Sequence, residues 1–126
     1  FAYISRPYPR ESVRVTVGGW LRDIGITFTG LQLQSVSKTS AYTITTADRL
    51  TYVDTTGGNV TVTLPAAATV TANTVYSVVK TAAGNTVTVD GSGAEEIDGN
   101  ATASLTNLYS RLDLISNGTG WVSINA

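Results

Sequence analysis

Apolar and polar residues alternate with a period of two along most of the chain. Val13, Val15 and Val17 are interleaved with Arg14 and Thr16, Tyr42 and Ile44 with Thr43 and Thr45, and Val60, Val62 and Leu64 with Thr61 and Thr63. The pattern returns in Val87 and Val89 against Thr86 and Thr88, in Leu112 and Leu114 against Arg111 and Asp113, and in Val122 and Ile124 after Trp121. Successive side chains of a strand point to opposite faces, so each run predicts a strand with one aliphatic and one hydroxyl-bearing side. Val and Thr are stiff at χ1 and fit a pleated surface. No long window carries the three-and-four spacing that a helix requires. The Ala-rich stretch Ala66–Ala72 follows Pro65 and contains Thr69, Val70 and Thr71, so it reads as a connection with room for one short turn.

Turn residues punctuate these runs. Gly18-Gly19 follows the first, Gly57-Gly58-Asn59 separates Leu50–Asp54 from Val60–Leu64, and Ala83-Gly84-Asn85 separates Val75–Thr81 from Thr86–Asp90. Asn117-Gly118-Thr119-Gly120 precedes the last run. Gly and Asn tolerate the positive φ of tight hairpins. Short strands at this spacing predict an all-β fold, an antiparallel β-sandwich, barrel or jelly roll. No exact internal repeat stands out, although the Thr alternation recurs. Pro7 and Pro9 disfavour regular structure near the start and predict an extended arm over about residues 1–12. The resulting division is an N-terminal arm and docking segment over 1–38 and a compact β domain over 39–126.

Composition narrows the chemistry. The 126 residues suit one domain. Cys, Met and His are all absent, which removes disulfides, thiolate and imidazole metal sites, and the Ser-His-Asp and Cys-His triads. Eight basic and nine acidic residues give a net charge of −1, which gives no support to a nucleic-acid-binding role. At 42% hydrophobic residues the chain is not of disordered type. No apolar stretch is long enough for a transmembrane helix, and the opening FAYISRPYPRES has Arg and Pro where a signal peptide would have an apolar run. No cofactor is implied.

Several constellations merit weighing. The acidic stretch Asp90-Gly91-Ser92-Gly93-Ala94-Glu95-Glu96-Ile97-Asp98-Gly99 offers oxygen ligands for calcium or a carboxylate pair for glycoside hydrolysis. The helix-loop-helix calcium pattern fails at Ala94, Glu95 and Ala101. The ordinary reading is a solvated hairpin loop with Ile97 tucked beneath it. Lys38 after Ser37 and Lys80 beside Thr81 are the only placements for a lysine-activated hydroxyl, in a chain where such neighbours arise by chance. The glycosylation triplets at Asn59, Asn100 and Asn117 carry little weight in a chain this rich in Asn and Thr. Tyr3, Arg6, Tyr8, Arg10 and Arg14 form an arm whose residue types favour docking on a neighbouring protein over nucleic acid. Trp121, and less so Trp20, presents a ring that would suit glycan stacking or would close the end of a β core.

From about Tyr42 onward the order of pieces is more telling than any one of them. It runs Tyr42-Thr43-Ile44-Thr45, Val53-Asp54-Thr55-Thr56-Gly57-Gly58, and Val60-Thr61-Val62-Thr63-Leu64-Pro65-Ala66. It continues with Tyr76-Ser77-Val78-Val79-Lys80, Asn85-Thr86-Val87-Thr88-Val89, Glu96-Ile97-Asp98-Gly99 and Leu114-Ile115-Ser116-Asn117-Gly118-Thr119-Gly120-Trp121. This order resembles a β domain that recurs in bacteriophage tail fibres, tailspikes and other virion surface proteins. The resemblance covers about two thirds of the chain and brings no catalytic residues with it. It implies a virion-associated, often trimeric, structural or binding module. A homotrimer would also bury strand faces and edges that one small domain leaves open. A fold without Cys or Met suits life outside a cell. The expectation is a non-enzymatic virion protein, docked to other virion proteins by its arm, which decorates the capsid or attaches to a host surface glycan or protein. The alternative is a carbohydrate-binding module or a glycan depolymerase fragment.

Overall fold

The computed structural model of the protein describes residues 33–125. The proposed arm, with Tyr3, Arg6, Tyr8, Arg10 and Arg14, and Trp20 with it, lies outside the described residues. Nine strands follow one another: β1 (Ser35–Lys38), β2 (Tyr42–Thr43), β3 (Leu50–Val53), β4 (Val60–Thr63), β5 (Val75–Lys80), β6 (Val87–Asp90), β7 (Thr102–Leu105), β8 (Arg111–Ser116) and β9 (Trp121–Ser123). The Ala-rich connection holds a single 3-10 turn at Ala67–Thr69. No α-helix occurs among the described residues.

The strands make two mixed sheets, and the all-β expectation holds at that level. The first sheet has the order β1-β3-β5-β8-β9 and the second β2-β4-β6-β7. The expected antiparallel pairing is corrected: β1–β3–β5 and β2–β4–β6 are parallel, and only β5–β8, β6–β7 and β8–β9 are antiparallel. A jelly roll is built of antiparallel Greek keys, so this connectivity departs from it. From β1 to β6 the chain alternates between the sheets and each strand pairs with one a full circuit away, the winding of a β-solenoid. β1 lies within the segment assigned above to docking, yet its pairing with β3 makes it part of the β body.

The physical reason lies in the turns. Gly58 (φ 145°), Gly84 (φ 73°) and Asn85 (φ 59°) do adopt the positive φ that their sequence signals. They use it to carry the chain from one sheet to the other, not to fold a strand back on its neighbour. Successive arches then stack. Asn59 Oδ1 accepts the N–H of Thr86, 27 residues later, at 2.9 Å. Asn85 Nδ2 donates to Thr55 O at 2.8 Å, and Thr55 Oγ1 donates to Gly84 O at 2.8 Å. Thr81 Oγ1 donates to Val53 O at 3.2 Å.

Strand parity builds the core. Val53, Tyr76, Val78, Leu112 and Leu114 of the first sheet and Val60, Val62, Val87, Val89 and Leu105 of the second are buried in one hydrophobic cluster with Ile44, Leu64, Ile97 and Trp121. Each such side chain contributes about 1.5–3 kcal/mol by leaving water. Lys80 occupies the same inward parity as Tyr76 and Val78, and it is 0% exposed. Its ammonium donates to the main-chain carbonyls of Ala82 and Gly84 in the β5–β6 arch. Replacing Lys80 by Met keeps the aliphatic volume but leaves these carbonyls short of a donor. Lys80→Met is expected to lower stability by about 1–3 kcal/mol in urea unfolding, the cost of an unsatisfied buried polar group.

Candidate functional site

At the end of the sheets where the β6–β7 loop meets the β8–β9 turn, a depression of about 520 Å³ is lined by Glu95, Glu96, Asp98, Asn117, Thr119 and Trp121, among others. The acidic stretch singled out in the sequence therefore does gather at a surface feature. Its backbone is tightly specified. A Cβ on Gly91 would lie 2.4 Å from the carbonyl oxygen of Glu95, so only glycine fits there. Ile97 is tucked into the core as expected, and its N–H and C=O both pair with Asn100. The turn through Asp98 (φ 52°) and Gly99 (φ 80°) brings the loop alongside β9. There Trp121 N donates to Glu96 O at 2.8 Å and Asp98 N donates to Trp121 O at 2.9 Å.

The carboxylates are spent on this architecture. Both oxygens of Glu95 accept the N–H of Ala67 at the 3-10 turn, at 3.0 and 3.1 Å. Asp98 accepts the N–H of Ser123 at 2.8 Å and its hydroxyl at 2.6 Å. Hydrogen bonding from the Ser123 side chain, then from its backbone, holds the Asp98 carboxyl below its ordinary pKa. Glu96 and Asp98 are both exposed. Among the described residues no cluster of three Asp, Glu, Cys or His side chains is placed to hold a metal ion.

The lysine-activated hydroxyl is likewise not assembled. The Lys80 ammonium is bound to carbonyls, and Thr81 Oγ1 is turned to Val53 O. Lys38 lies 4.0 Å from the centroid of the Tyr42 ring. That stacking belongs to a cluster that sequence reading missed. Asp48, nearly buried in the β2–β3 connection, accepts the Tyr42 hydroxyl at 2.6 Å and the N–H and hydroxyl of Thr45, each at 3.0 Å. Burial pushes the Asp48 carboxyl up. The hydrogen bonds from Tyr42 and Thr45, with the nearby charge of Lys38, outweigh it and bring the pKa below the ordinary value. The same hydrogen bond, followed by burial, raises the Tyr42 pKa. The Thr45-x-x-Asp48 spacing was the available signal, since a hydroxyl and a carboxylate three apart close a polar turn.

Trp121 requires correction as a glycan platform. It is 1% exposed, with its ring edge-on to Tyr76 at 5.5 Å and 88°, and no open face remains for a sugar. The Tyr76 hydroxyl in turn donates to Thr46 O at 2.7 Å. This is the core-closing role, set by the inward parity of Trp121 on β9.

The two sheets differ on their outward sides. The first presents Leu50, Tyr52, Val75, Val79, Ile115 and Val122. The second presents Thr61, Thr63, Thr88, Asp90, Thr102 and Ser104. Set against known proteins, the chain matches no family model and no curated sequence.

Two measurements follow from this geometry. Trp121→Ala is expected to cost about 3–5 kcal/mol as a buried aromatic truncation, so thermal unfolding will show a large fall in midpoint. A stable, fully folded Trp121→Ala protein would contradict the placement. For Asp48, a folded pKa below the unfolded value means a stabilising contribution that is complete above about pH 3.9 and is lost as pH falls through the folded value. The urea midpoint is expected to drop on acidification below that point, and less steeply in Asp48→Asn. Asp98, whose pKa is also lowered, sustains part of the slope in that variant.

Proposed function

We propose that this chain is a non-enzymatic structural protein of a bacteriophage virion, a surface-displayed β domain docked to the particle through its N-terminal segment. It serves there as capsid decoration or as a tail-fibre-type attachment module. The observation that carries this reading is the commitment of its reactive groups to its own backbone. Glu95, Asp98, Asp48 and Lys80 each hydrogen-bond main-chain atoms that fix a loop or an arch. Charge used in this way supplies rigidity, which suits a part that must keep its shape outside a cell. The strands and turns that carry the resemblance to virion surface domains are β2 to β9. In this reading the two sheets form a sandwich around their shared core, copies of the chain associate as a homotrimer, and the arm residues Tyr3, Arg6, Tyr8, Arg10 and Arg14 bind other virion proteins.

Immunogold labelling of purified particles tests the reading. Label on the shell identifies decoration, and label at the tail tip identifies attachment. Joint replacement of the five arm residues by Ala is expected to empty the particles of the protein while its circular dichroism is kept. A chain found in infected lysate but absent from particles would refute the proposal.

A further inference from the structure

The strands are not held equally. The described winding opens with a coil made of β1, its arch, β2 and the connection to β3, residues 34–49, and the buried residues of that stretch are Ile44 and Asp48. Every other member of the hydrophobic cluster lies at or beyond Val53. β1 has no buried residue, and β2 pairs with β4 through Tyr42 and Thr43 before Ile44 N donates to Thr63 O at 2.8 Å. Side-chain hydrogen bonds fall into two sets. Asp48 gathers the Tyr42 hydroxyl and the N–H and hydroxyl of Thr45, with the Lys38 ammonium over the Tyr42 ring, and all of these groups belong to the coil. The later arches are tied by Thr55, Asn59, Lys80 and Asn85, and the loops by Glu95, Asp98 and Ser116, with partners that all lie beyond Leu50. Among the described residues one side-chain hydrogen bond joins the two sets, from the Tyr76 hydroxyl to Thr46 O at 2.7 Å.

We propose that residues 34–49 form a strap that opens as a unit while the body from Leu50 onward stays folded, with the Asp48 cluster as its clasp. Segments that bury few apolar side chains open locally at the lowest cost. This strap withdraws only Ile44 and part of Tyr42 from the core. The clasp acts inside the strap. The three hydrogen bonds to Asp48 exist only while β2 and the connection after it keep their path. Breaking them therefore unravels the strap and removes no partner from the body. On opening, the body loses the β1–β3 and β2–β4 ladders and the Tyr76 bond, and it keeps its own arches. Unwound, residues 34–49 span up to roughly 55 Å at ~3.4 Å each. In a protein held by its first residues, that length lets the β body stand away from its support. This use of the length rests on the docking reading above, whereas the opening itself does not.

Hydrogen exchange read by mass spectrometry on the full-length protein reports the opening. Peptides covering β1 and β2 are expected to exchange at least about tenfold faster than those covering β5, β6 and β8. Asp48→Ala is expected to widen that gap by about a further tenfold, the effect of stripping buried hydrogen bonds, and to leave β5, β6 and β8 at their original rates. Tyr42→Phe should act in the same direction and by less. Trypsin gives a second readout. Lys38 and Arg49 lie in the strap, and Arg49 Nε is buried while the strap is closed. The body offers trypsin only Lys80 and Arg111, within β5 and β8. Fragments that begin at Thr39 and Leu50 should accumulate, and sooner from Asp48→Ala. Should Asp48→Ala fail to fold, Tyr42→Phe and the unmodified protein decide. Exchange of β1 and β2 in step with β5 and β8 overturns the inference, as does a clasp variant that speeds every strand equally or leaves the strap at its original rate. So does resistance of Lys38 and Arg49 to trypsin. Gold labelling judges the docking reading separately, so either can fail alone.

Discussion

The structure depends on the closing of its arches around a buried cation. Lys80 stands at an inward position of β5 with no solvent to receive its charge. An ammonium in that setting costs several kcal/mol unless its donors are filled. The carbonyls that fill them, from Ala82 and Gly84, become available only when the chain turns out of the first sheet and into the second. Gly84 O also takes the hydroxyl of Thr55, one circuit earlier. Satisfying one buried charge therefore fixes the path of its own arch and the seat of the arch beneath. The parallel register of β3 on β5 and of β4 on β6 follows from that stacking.

This constraint also explains which parts of the fold were legible in the sequence. Alternation of aliphatic and polar residues states that a strand exists and which side faces inward, and it did so correctly for β4, β6 and β8. It says nothing about which strand lies alongside. Gly57-Gly58-Asn59 and Ala83-Gly84-Asn85 carry the same positive-φ signal whether they close a hairpin or cross between sheets, and the antiparallel expectation came from taking the first option. The circuit relation between Asn59 and Thr86 is hidden because connections of different composition separate the matching strands. Lys80 was readable, since parity places it with Tyr76 and Val78.

The candidate site shows the same division. That Ile97 would sit under the acidic loop followed from one apolar residue in a polar run. That Glu95 would reach Ala67, and Asp98 would reach Ser123, did not, because those partners lie 28 and 25 residues away and meet only once the sheets are formed. A run of carboxylates in sequence looks like a reservoir of charge for binding or catalysis. In the fold two of its members act as tethers, one holding the connection after β4 and the other holding β9.

A winding of parallel strands raises a difficulty that hairpin-built sheets meet less often, because its outermost strands present free main-chain groups to any neighbour. Among the described residues those edges are blunt. β2 is two residues long and β9 three, and β1 carries Ser35, Ser37 and Lys38. β7, at the far edge of the second sheet, turns Thr102 and Ser104 outward. Short edges give an added strand few main-chain bonds to make. The aliphatic surface left open lies on the flat side of the first sheet, where no ladder can be continued. The distribution of Thr and Val along the strands thus sets the local fold and also decides which side of it stays apolar.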